Sequence, residues 1–370
     1  MKVAIVINTS WNIYNFRLGL VKALIDSGHE VVAIAPEDDY SRLLVENGCK
    51  FVAVSMDTQG VNPIKDLKLV YNLWKTYRKI APDVILQYTI KPNIYGSLAA
   101  RLLKIPVINN VSGLGTVFLK KNLLSGISKL LYRIAFLSPK RVFFQNEDDR
   151  KLFLDRKLVK PEKTALLPGS GINLQRFSQL PMPDSGGFSF LLISRIIQDK
   201  GIREFIEAIR LLRSENVNAR FQVLGAKDPK HKRGIPLAEI DQWVTGGLIE
   251  YLGTTDDVQS FISSAHCVLL PSYREGTPRT LLEAAATGRP LIASDVPGCR
   301  EVVKHGYNGL LCEVKSAEDL AGKMKDMMNF EDEMLTEMGN NSRKLVENNF
   351  DEQIVINKYC QTIRSLDKKS

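Results

Sequence analysis

Short apolar runs alternate with longer amphipathic stretches along most of the chain. In the first half, Val3–Ile7, Glu30–Ala35, Phe51–Val54, Val84–Gln87, Val107–Asn110, Arg141–Gln145 and Lys163–Leu167 read as strands. Between them, apolar positions three or four residues apart predict helices at Phe16–Ser27, Tyr40–Asn47, Pro63–Ile80, Asn93–Leu103, about 123–137 and Glu147–Arg156. Strands that are apolar throughout, separated by helices, imply a parallel sheet covered on both faces. A second series follows, with strands at Ser189–Ile193, Arg220–Leu224, Ile249–Leu252, Cys267–Ser272 and Pro290–Ala293. Its helices are expected at Ile202–Ser214, near Leu237–Thr245, at Val258–Ala265, after Thr280 and from Ala317 onward. The stretch Pro181–Gly187 is the clearest break in composition and reads as a linker. The pattern therefore predicts an α/β protein of two doubly wound, Rossmann-like domains, 1–180 and 188–350. A last helix near 351–370 is expected to return onto the first. Such domains bind ligands at the carboxyl ends of their strands, and those ends are expected to face one cleft.

Composition supports two ordinary globular domains, since 370 residues exceed what one core usually serves. No apolar run approaches the roughly 20 residues of a membrane-spanning helix. Val3–Ile7 is too short for the core of a signal peptide. The five cysteines are odd in number and lack C-x-x-C spacing, so free thiols in a reducing cytosol are expected and a metal site is not. Charge changes the picture more. Residues 1–180 hold 26 Lys/Arg against 14 Asp/Glu, whereas the remainder is slightly acidic. No acidic residue occurs between Asp83 and Glu147, a stretch that carries Lys91, Arg101, Lys104, Lys120, Lys121, Lys129, Arg133, Lys140 and Arg141. An anionic partner of the first half is implied. Nucleic acid is not expected, because no nucleic-acid-binding motif is visible. Residues 118–137 instead form a basic amphipathic pattern that suits an anionic membrane surface, placing the protein peripherally at the inner face of the cell membrane. The alternative for this segment is a core-facing helix with a solvated basic rim.

The candidate chemistry lies in the second half. Glu275 and Glu283 stand eight residues apart in Arg274-Glu275-Gly276-Thr277-Pro278-Arg279-Thr280-Leu281-Leu282-Glu283, directly after an apolar strand. A strand, a Gly/Pro turn and a helix start would present unpaired N–H groups and a partial positive charge, which suit phosphate or sugar oxygens. The two carboxylates can accept hydrogen bonds from sugar or ribose hydroxyls. Arg195 and Lys200, in Ser194-Arg195-Ile196-Ile197-Gln198-Asp199-Lys200-Gly201, stand beside another helix start and suit a diphosphate. A nicotinamide dehydrogenase would want G-x-G-x-x-G after its first strand, and Asn8-Thr9-Ser10-Trp11-Asn12 contains no glycine.

Together, the glutamate pair and the Arg/Lys pair resemble the E-x7-E signature of retaining GT-B glycosyltransferases of family 4. Ser27–Val31, Gly171–Phe177, Leu224-Gly225, Ser294–Gly298 and Asn308–Leu311 also look like this family. Ile13–Arg17 and Ser112–Thr116 resemble a narrower group, bacterial enzymes that extend glycans on undecaprenyl diphosphate, N-acetylgalactosaminyltransferases among them.

The resemblance implies roles. Arg195 and Lys200 would neutralise the UDP leaving group, Glu283 would hold the ribose and Gly225 would border the nucleoside. Glu275, with Gly276, Thr277, Pro278, Arg279 and Thr280, would hold the donor sugar and phosphate. Arg17, Lys91, Gly113, Lys120 and Lys121 would meet a polyprenyl-diphosphate-linked glycan acceptor. The implied reaction moves a sugar, N-acetylgalactosamine or N-acetylglucosamine, from a UDP-sugar with no metal or further cofactor, in lipopolysaccharide, capsule or related glycan assembly. Many family members carry a histidine facing the donor sugar; here Gly113-Leu114-Gly115 stands in that loop, and His29 reads as a turn residue. Two other classes stay open: a UDP-N-acetylglucosamine epimerase of the same fold, and a non-catalytic membrane or glycan-binding protein.

Overall fold

Two wholly parallel sheets organise the chain in the computed structural model, which describes residues 1–56, 62–113, 123–184 and 186–367. The first contains β1 (Lys2–Val6), β2 (Glu30–Ala35), β3 (Lys50–Ala53), β4 (Val84–Tyr88), β5 (Val107–Val111), β6 (Arg141–Phe144) and β7 (Thr164–Leu166), in the order β3-β2-β1-β4-β5-β6-β7. The crossovers carry α1 (Ser10–Asp26), α2 (Tyr40–Glu46), α3 (Pro63–Ile80), α4 (Ser97–Leu102), α5 (Leu123–Ala135) and α6 (Glu147–Asp155). Successive side chains of a strand point to opposite faces, and both faces of this sheet are buried. Ala4 and Val6 join one apolar cluster, with Leu73, Tyr77 and Phe144. Val3, Ile5 and Ile7 join another, with Leu20, Leu24 and Phe143.

The second sheet contains β8 (Ser189–Ile193), β9 (Arg220–Leu224), β10 (Glu250–Tyr251), β11 (Cys267–Leu270), β12 (Leu291–Ser294) and β13 (Gly309–Cys312), in the order β10-β9-β8-β11-β12-β13. Its helices are α7 (Ile202–Ser214), α8 (Leu237–Thr245), α9 (Val258–Ser263), α10 (Arg279–Ala286), α11 (Cys299–Val302), α12 (Ala317–Met328) and α13 (Asp332–Asn349). Alternate residues again serve opposite faces: Phe190 and Leu192 pack with Phe205 and Met324, whereas Leu191 and Ile193 pack with Leu282 and Val346.

The final helix, α14 (Glu352–Asp367), packs on the first sheet. Its buried residues Val355, Ile356, Tyr359 and Ile363 follow helical spacing and join the cluster of Val3 and Ile5. Asn110 Nδ2 donates to the Tyr359 hydroxyl (3.0 Å), and the Tyr359 ring meets Phe143 edge-on at 5.2 Å. The chain accordingly divides into two compact units, residues 1–171 with 352–370, and residues 172–351. The Pro/Gly-rich stretch expected as the linker lies on the far side of this boundary. Arg289, fully buried, donates to the carbonyls of Leu180 (3.3 Å), Pro181 (2.6 Å) and Ile262 (3.2 Å), which fixes that stretch to the second unit. Composition marks where backbone avoids regular structure; a buried arginine decides what that backbone packs against.

At the boundary, Gly171 has φ +72°, and a Cβ there would overlap the backbone of Glu352. Glycine alone adopts this conformation without cost and allows the approach. Gly171→Ala is therefore expected to destabilise the protein by about 2 kcal/mol, lowering the melting temperature by about 4–8 °C. Calorimetric or circular-dichroism melting checks this, and an unchanged melting temperature would show that the close approach is dispensable.

Candidate active site

Four loops meet at the carboxyl ends of β8, β9, β11 and β12, and glycines set how closely they approach. Gly201, Gly225 and Gly298 all have positive φ. A Cβ on Gly201 would overlap the Pro271 carbonyl, one on Gly225 the Ser194 carbonyl, and one on Gly298 the Gly276 carbonyl. The turn after β12 thus lies directly against the turn that carries Glu275. Hydrogen bonds complete the assembly. The Asp199 carbonyl accepts from Ser272 Oγ (3.1 Å) and from the Tyr273 N–H (2.9 Å), tying the Arg195–Lys200 loop to the Glu275 loop. Tyr273 donates its hydroxyl to Glu204 Oε1 (2.6 Å) on the first turn of α7. Burial and that carboxylate raise the tyrosine pKa, so the hydroxyl keeps its proton.

Within this frame Lys200 Nζ and Glu275 Oε1 form a short ion pair, with both side chains largely withdrawn from solvent. Lys200 ends a 3₁₀ turn, Gln198–Lys200, immediately before Gly201 and α7. Arg195 is the exposed member, its side chain 56% accessible, and its guanidinium lies 3.6 Å from Asp228. Glu283 is buried one turn into α10 and accepts from Arg279 Nε at 3.0 Å. Burial raises the pKa of its carboxyl, opposed by the charges of Arg279 and Arg176. Behind these groups, burial and the Glu275 carboxylate push the Cys299 thiol well above its usual range, leaving it an inert core residue. The five cysteines are all free, and no His/Cys/Asp/Glu group able to hold a metal ion occurs among the described residues.

The structure therefore gathers Arg195, Lys200, Gly225, Glu275, Gly276 and the start of α10, with Arg279 and Glu283, at one sheet edge. Pro278 takes the N-cap position of α10 and its side chain accepts no capping bond; the backbone N–H groups of a helix's first turn point out of its end. Sequence reasoning did not find Asp228, Arg233, Ser272 or Tyr273. Arg233 pairs with Asp199, and the Gln198 N–H donates to the Arg233 carbonyl (2.8 Å), so the segment after β9 braces the cationic loop. No spacing in the sequence announces these partners, because they come from crossovers that meet only in the folded sheet.

The residues expected to meet an acceptor lie in the first unit and fare differently. Arg17 was expected to open a helix at the rim. Helix α1 instead begins at Ser10, capped by Thr9 Oγ1, which accepts from the Asn12 N–H (3.2 Å). Arg17 is thereby a buried mid-helix residue, its guanidinium 4.0 Å over the Tyr88 ring and bonded to Asn12. The helix therefore starts earlier than expected, since reading Ser10–Asn12 as loop hid the cap. Lys91 is also largely buried, paired with Asp66 Oδ1 at 3.0 Å, while Asp66 Oδ2 accepts from Tyr95 (2.9 Å). Gly113 follows β5 with φ +131°. Lys120 and Lys121 lie outside the described residues.

Gly298→Ala is expected to disturb the site from behind. Positive φ alone costs about 1–2 kcal/mol for a residue with a Cβ, and the overlap with Gly276 adds to it. Donor turnover is expected to fall at least tenfold while the first unit's melting transition is unchanged. Full activity in the alanine variant would show that the Glu275 turn does not depend on this contact.

Comparison with known proteins agrees with the fold. The profile described as Glycosyl transferases group 1 matches residues 181–345, and the one described as Glycosyl transferase 4-like matches residues 2–146. The N,N'-diacetylbacillosaminyl-diphospho-undecaprenol alpha-1,3-N-acetylgalactosaminyltransferase of Campylobacter jejuni is 29% identical, covering 98% of both chains. The UDP-Gal:alpha-D-GlcNAc-diphosphoundecaprenol alpha-1,3-galactosyltransferase of Escherichia coli is 25% identical over 79% of this chain and 78% of its own. A glycosyltransferase from Rickettsia africae superposes with a TM-score of 0.81 at 17% identity, covering 100% of this chain and 99% of that one. HepE from Anabaena, in complex with UDP-glucose, gives 0.79 at 18% identity over the whole of both chains. The chain belongs to the group 1, family 4 glycosyltransferases, retaining enzymes of the GT-B fold.

Proposed function

We propose that this enzyme transfers an N-acetylhexosamine from its UDP-sugar to a polyprenyl-diphosphate-linked glycan during bacterial surface-glycan assembly. The observation that carries the reading is the Lys200–Glu275 ion pair, set beside the buried Glu283 at the start of α10. Similarity to transferases named for undecaprenyl-diphosphate acceptors supports the acceptor class.

Each cation has a carboxylate partner before the donor binds, Lys200 with Glu275 and Arg195 with Asp228. A diphosphate is the stronger partner for both, with more charge and more acceptor oxygens. Its arrival would draw Lys200 and Arg195 onto the phosphates and release Glu275 to accept from hydroxyls of the donor sugar. Charge grows on the diphosphate as the glycosidic bond breaks, so fixed cations and the N–H groups of α10 stabilise the transition state more than the ground state. Glu283 accepts from the ribose hydroxyls. The acceptor hydroxyl then attacks from the face the diphosphate leaves, with retention of configuration.

The first unit supplies a surface suited to a lipid-linked acceptor. Ile64, Leu67 and Tyr71 are 80%, 71% and 59% exposed along one face of α3, among Lys65, Lys68, Lys75 and Arg78. Leu102, Leu130 and Leu137, at and beyond the neighbouring α4 and α5, are also exposed, beside Arg101 and Arg133. Apolar side chains ringed by cations suit an anionic membrane surface, each nearby Lys or Arg adding about 1 kcal/mol. Among the described residues no helix is long and apolar enough to cross a membrane.

The direct test is UDP release from a panel of UDP-sugars, with and without a polyprenyl-diphosphate glycan. Release from one sugar only in the presence of acceptor is expected, with Lys200→Ala lowering kcat by roughly 10²–10³-fold, as when one transition-state donor is removed. Conversion of UDP-N-acetylglucosamine without acceptor would point to an epimerase, and no release with any sugar would sink the transferase reading. Separately, the protein is expected to sediment with anionic vesicles, more weakly as salt rises. Leu67→Glu with Tyr71→Glu should abolish this; unchanged sedimentation of the double variant would remove α3 from the membrane-facing surface.

A further inference from the structure

Glu283 is unusual among the groups of this site. It is a carboxylate 7% exposed, flanked on its helix by the buried apolar residues Leu281, Leu282, Ala284, Ala285 and Ala286, and it is held by an arginine of the same helix. Arg279 precedes it by one turn and is itself largely buried, with a side-chain accessibility of 13%. An isolated carboxylate in such surroundings takes up a proton instead of remaining charged. Arg279 Nε occupies Oε1 at 3.0 Å, which fixes the rotamer and leaves Oε2 as the oxygen for a further donor.

We propose that Arg279 is a positioning residue for the donor nucleotide: it keeps Glu283 ionised and oriented so that Oε2 accepts the ribose hydroxyls. The proposal rests on the reading of Glu283 as the ribose ligand given above. It departs from the resemblance, which placed Arg279 with the residues holding donor sugar and phosphate. The geometry directs its Nε to the carboxylate four residues on. Such a bond between a charged donor and a charged acceptor is stronger than a neutral one.

The other charges around α10 do not replace it. Arg176 contributes a favourable charge to Glu283, and its Nη2 donates to the Asp256 carbonyl (3.2 Å). From α13, Arg343 reaches α10 only through the Ala286 carbonyl (2.9 Å) and gives its Nε to Glu347. From α11, Arg300 pairs with Asp295, and Glu301 is the remaining charge. Helix α9 and strands β11 and β12 carry no charged residue.

Removing Arg279 therefore raises the Glu283 pKa further, and the protonated fraction grows as pH falls. A protonated carboxyl accepts hydroxyl hydrogen bonds less strongly, so donor affinity is lost progressively toward low pH. The experiment is calorimetric binding of UDP-N-acetylgalactosamine to the full chain between pH 5.5 and 8.5. This donor is chosen because its diphosphate has no group titrating in that window, whereas the terminal phosphate of free UDP titrates near pH 6. Arg279→Met is expected to weaken binding at least tenfold at pH 5.5 and by clearly less at pH 8.5. Arg279→Lys should restore most of the affinity. Glu283→Gln should bind weakly but without pH dependence, and adding Arg279→Met to it should introduce none. If Arg279→Met does not fold, Arg279→Gln, which removes the charge and keeps a hydrogen bond, serves the same comparison.

Wild-type affinity in Arg279→Met at every pH would overturn the proposal. So would an equal loss at every pH that persists in the Glu283→Gln background, since that is the mark of a direct contact with the nucleotide. Failure of the unmodified chain to bind the donor and free UDP alike would overturn the nucleotide reading itself, and the role of Arg279 with it. Binding by the unmodified chain with no effect of Arg279 would overturn the proposal alone.

Discussion

The Asp199 carbonyl stands at the centre of the second unit's chemistry. By accepting from both Ser272 Oγ and the Tyr273 N–H, it joins the loop after β8 to the loop after β11. The first loop carries Arg195 and Lys200; the second leads into Glu275 and α10. Without those two bonds the loops would be held to each other by the close approach of Gly201 to Pro271, the Tyr273–Glu204 bond and the Lys200–Glu275 pair. With them, and with Gly201 pressed against the Pro271 carbonyl, Lys200 and Glu275 meet at fixed separation. Catalysis by fixed charge depends on such order, since groups that must reorganise during reaction lose most of their advantage.

The same order has an electrostatic consequence. A pair of cations ready for a diphosphate would repel each other and be costly to hold in a partly buried pocket. Carboxylates on neighbouring loops relieve this, Glu275 for Lys200 and Asp228 for Arg195. Glu283 poses the opposite problem, a buried anion, which Arg279 solves from within its own helix. Under the proposed function, donor binding would exchange these ion pairs, and its strength would depend on how weak the initial ones are. The exposed Arg195–Asp228 contact should exchange readily, because solvent screens such pairs. The more enclosed Lys200–Glu275 pair has more to lose, and under that reading a diphosphate would have to offer more in return.

The first unit shows how a distant segment can become part of a domain. Helix α14 contributes Tyr359 to an aromatic group with Phe143 and Tyr88, and Asn110 ties its hydroxyl to β5. Arg17 lies over the Tyr88 ring from α1. Such contacts fill the cluster around Val3 and Ile5 that the sequence of the first half would leave partly uncovered. Meanwhile the other face of the unit directs Ile64, Leu67 and Tyr71 outward, although helical spacing alone would let them point inward equally well.

Much was legible in the sequence, for reasons that are local. Strands such as Val3–Ile7 and Ser189–Ile193 are apolar on both faces, which only a covered parallel sheet accommodates, so two doubly wound α/β domains followed from pattern alone. The Glu275–Glu283 spacing across a Gly/Pro turn, and the Arg195–Lys200 pair after a strand, marked the candidate site because strand, turn and helix start lie close together in the chain. Tertiary structure decided what sequence separation hides. The chain divides at Gly171 and Glu352, not in the Pro/Gly-rich stretch, because Arg289 holds that stretch to the second unit. Arg17 lies in the middle of α1, which a Thr9 cap starts earlier than its apolar pattern suggests, and is covered by the Tyr88 ring. Lys91 is neutralised by Asp66, and Asp199 is braced by Ser272 and Arg233, through contacts between separate crossovers. A residue's type and neighbours declare what chemistry it can do; which charges face it is settled only when the sheet brings distant loops to one edge.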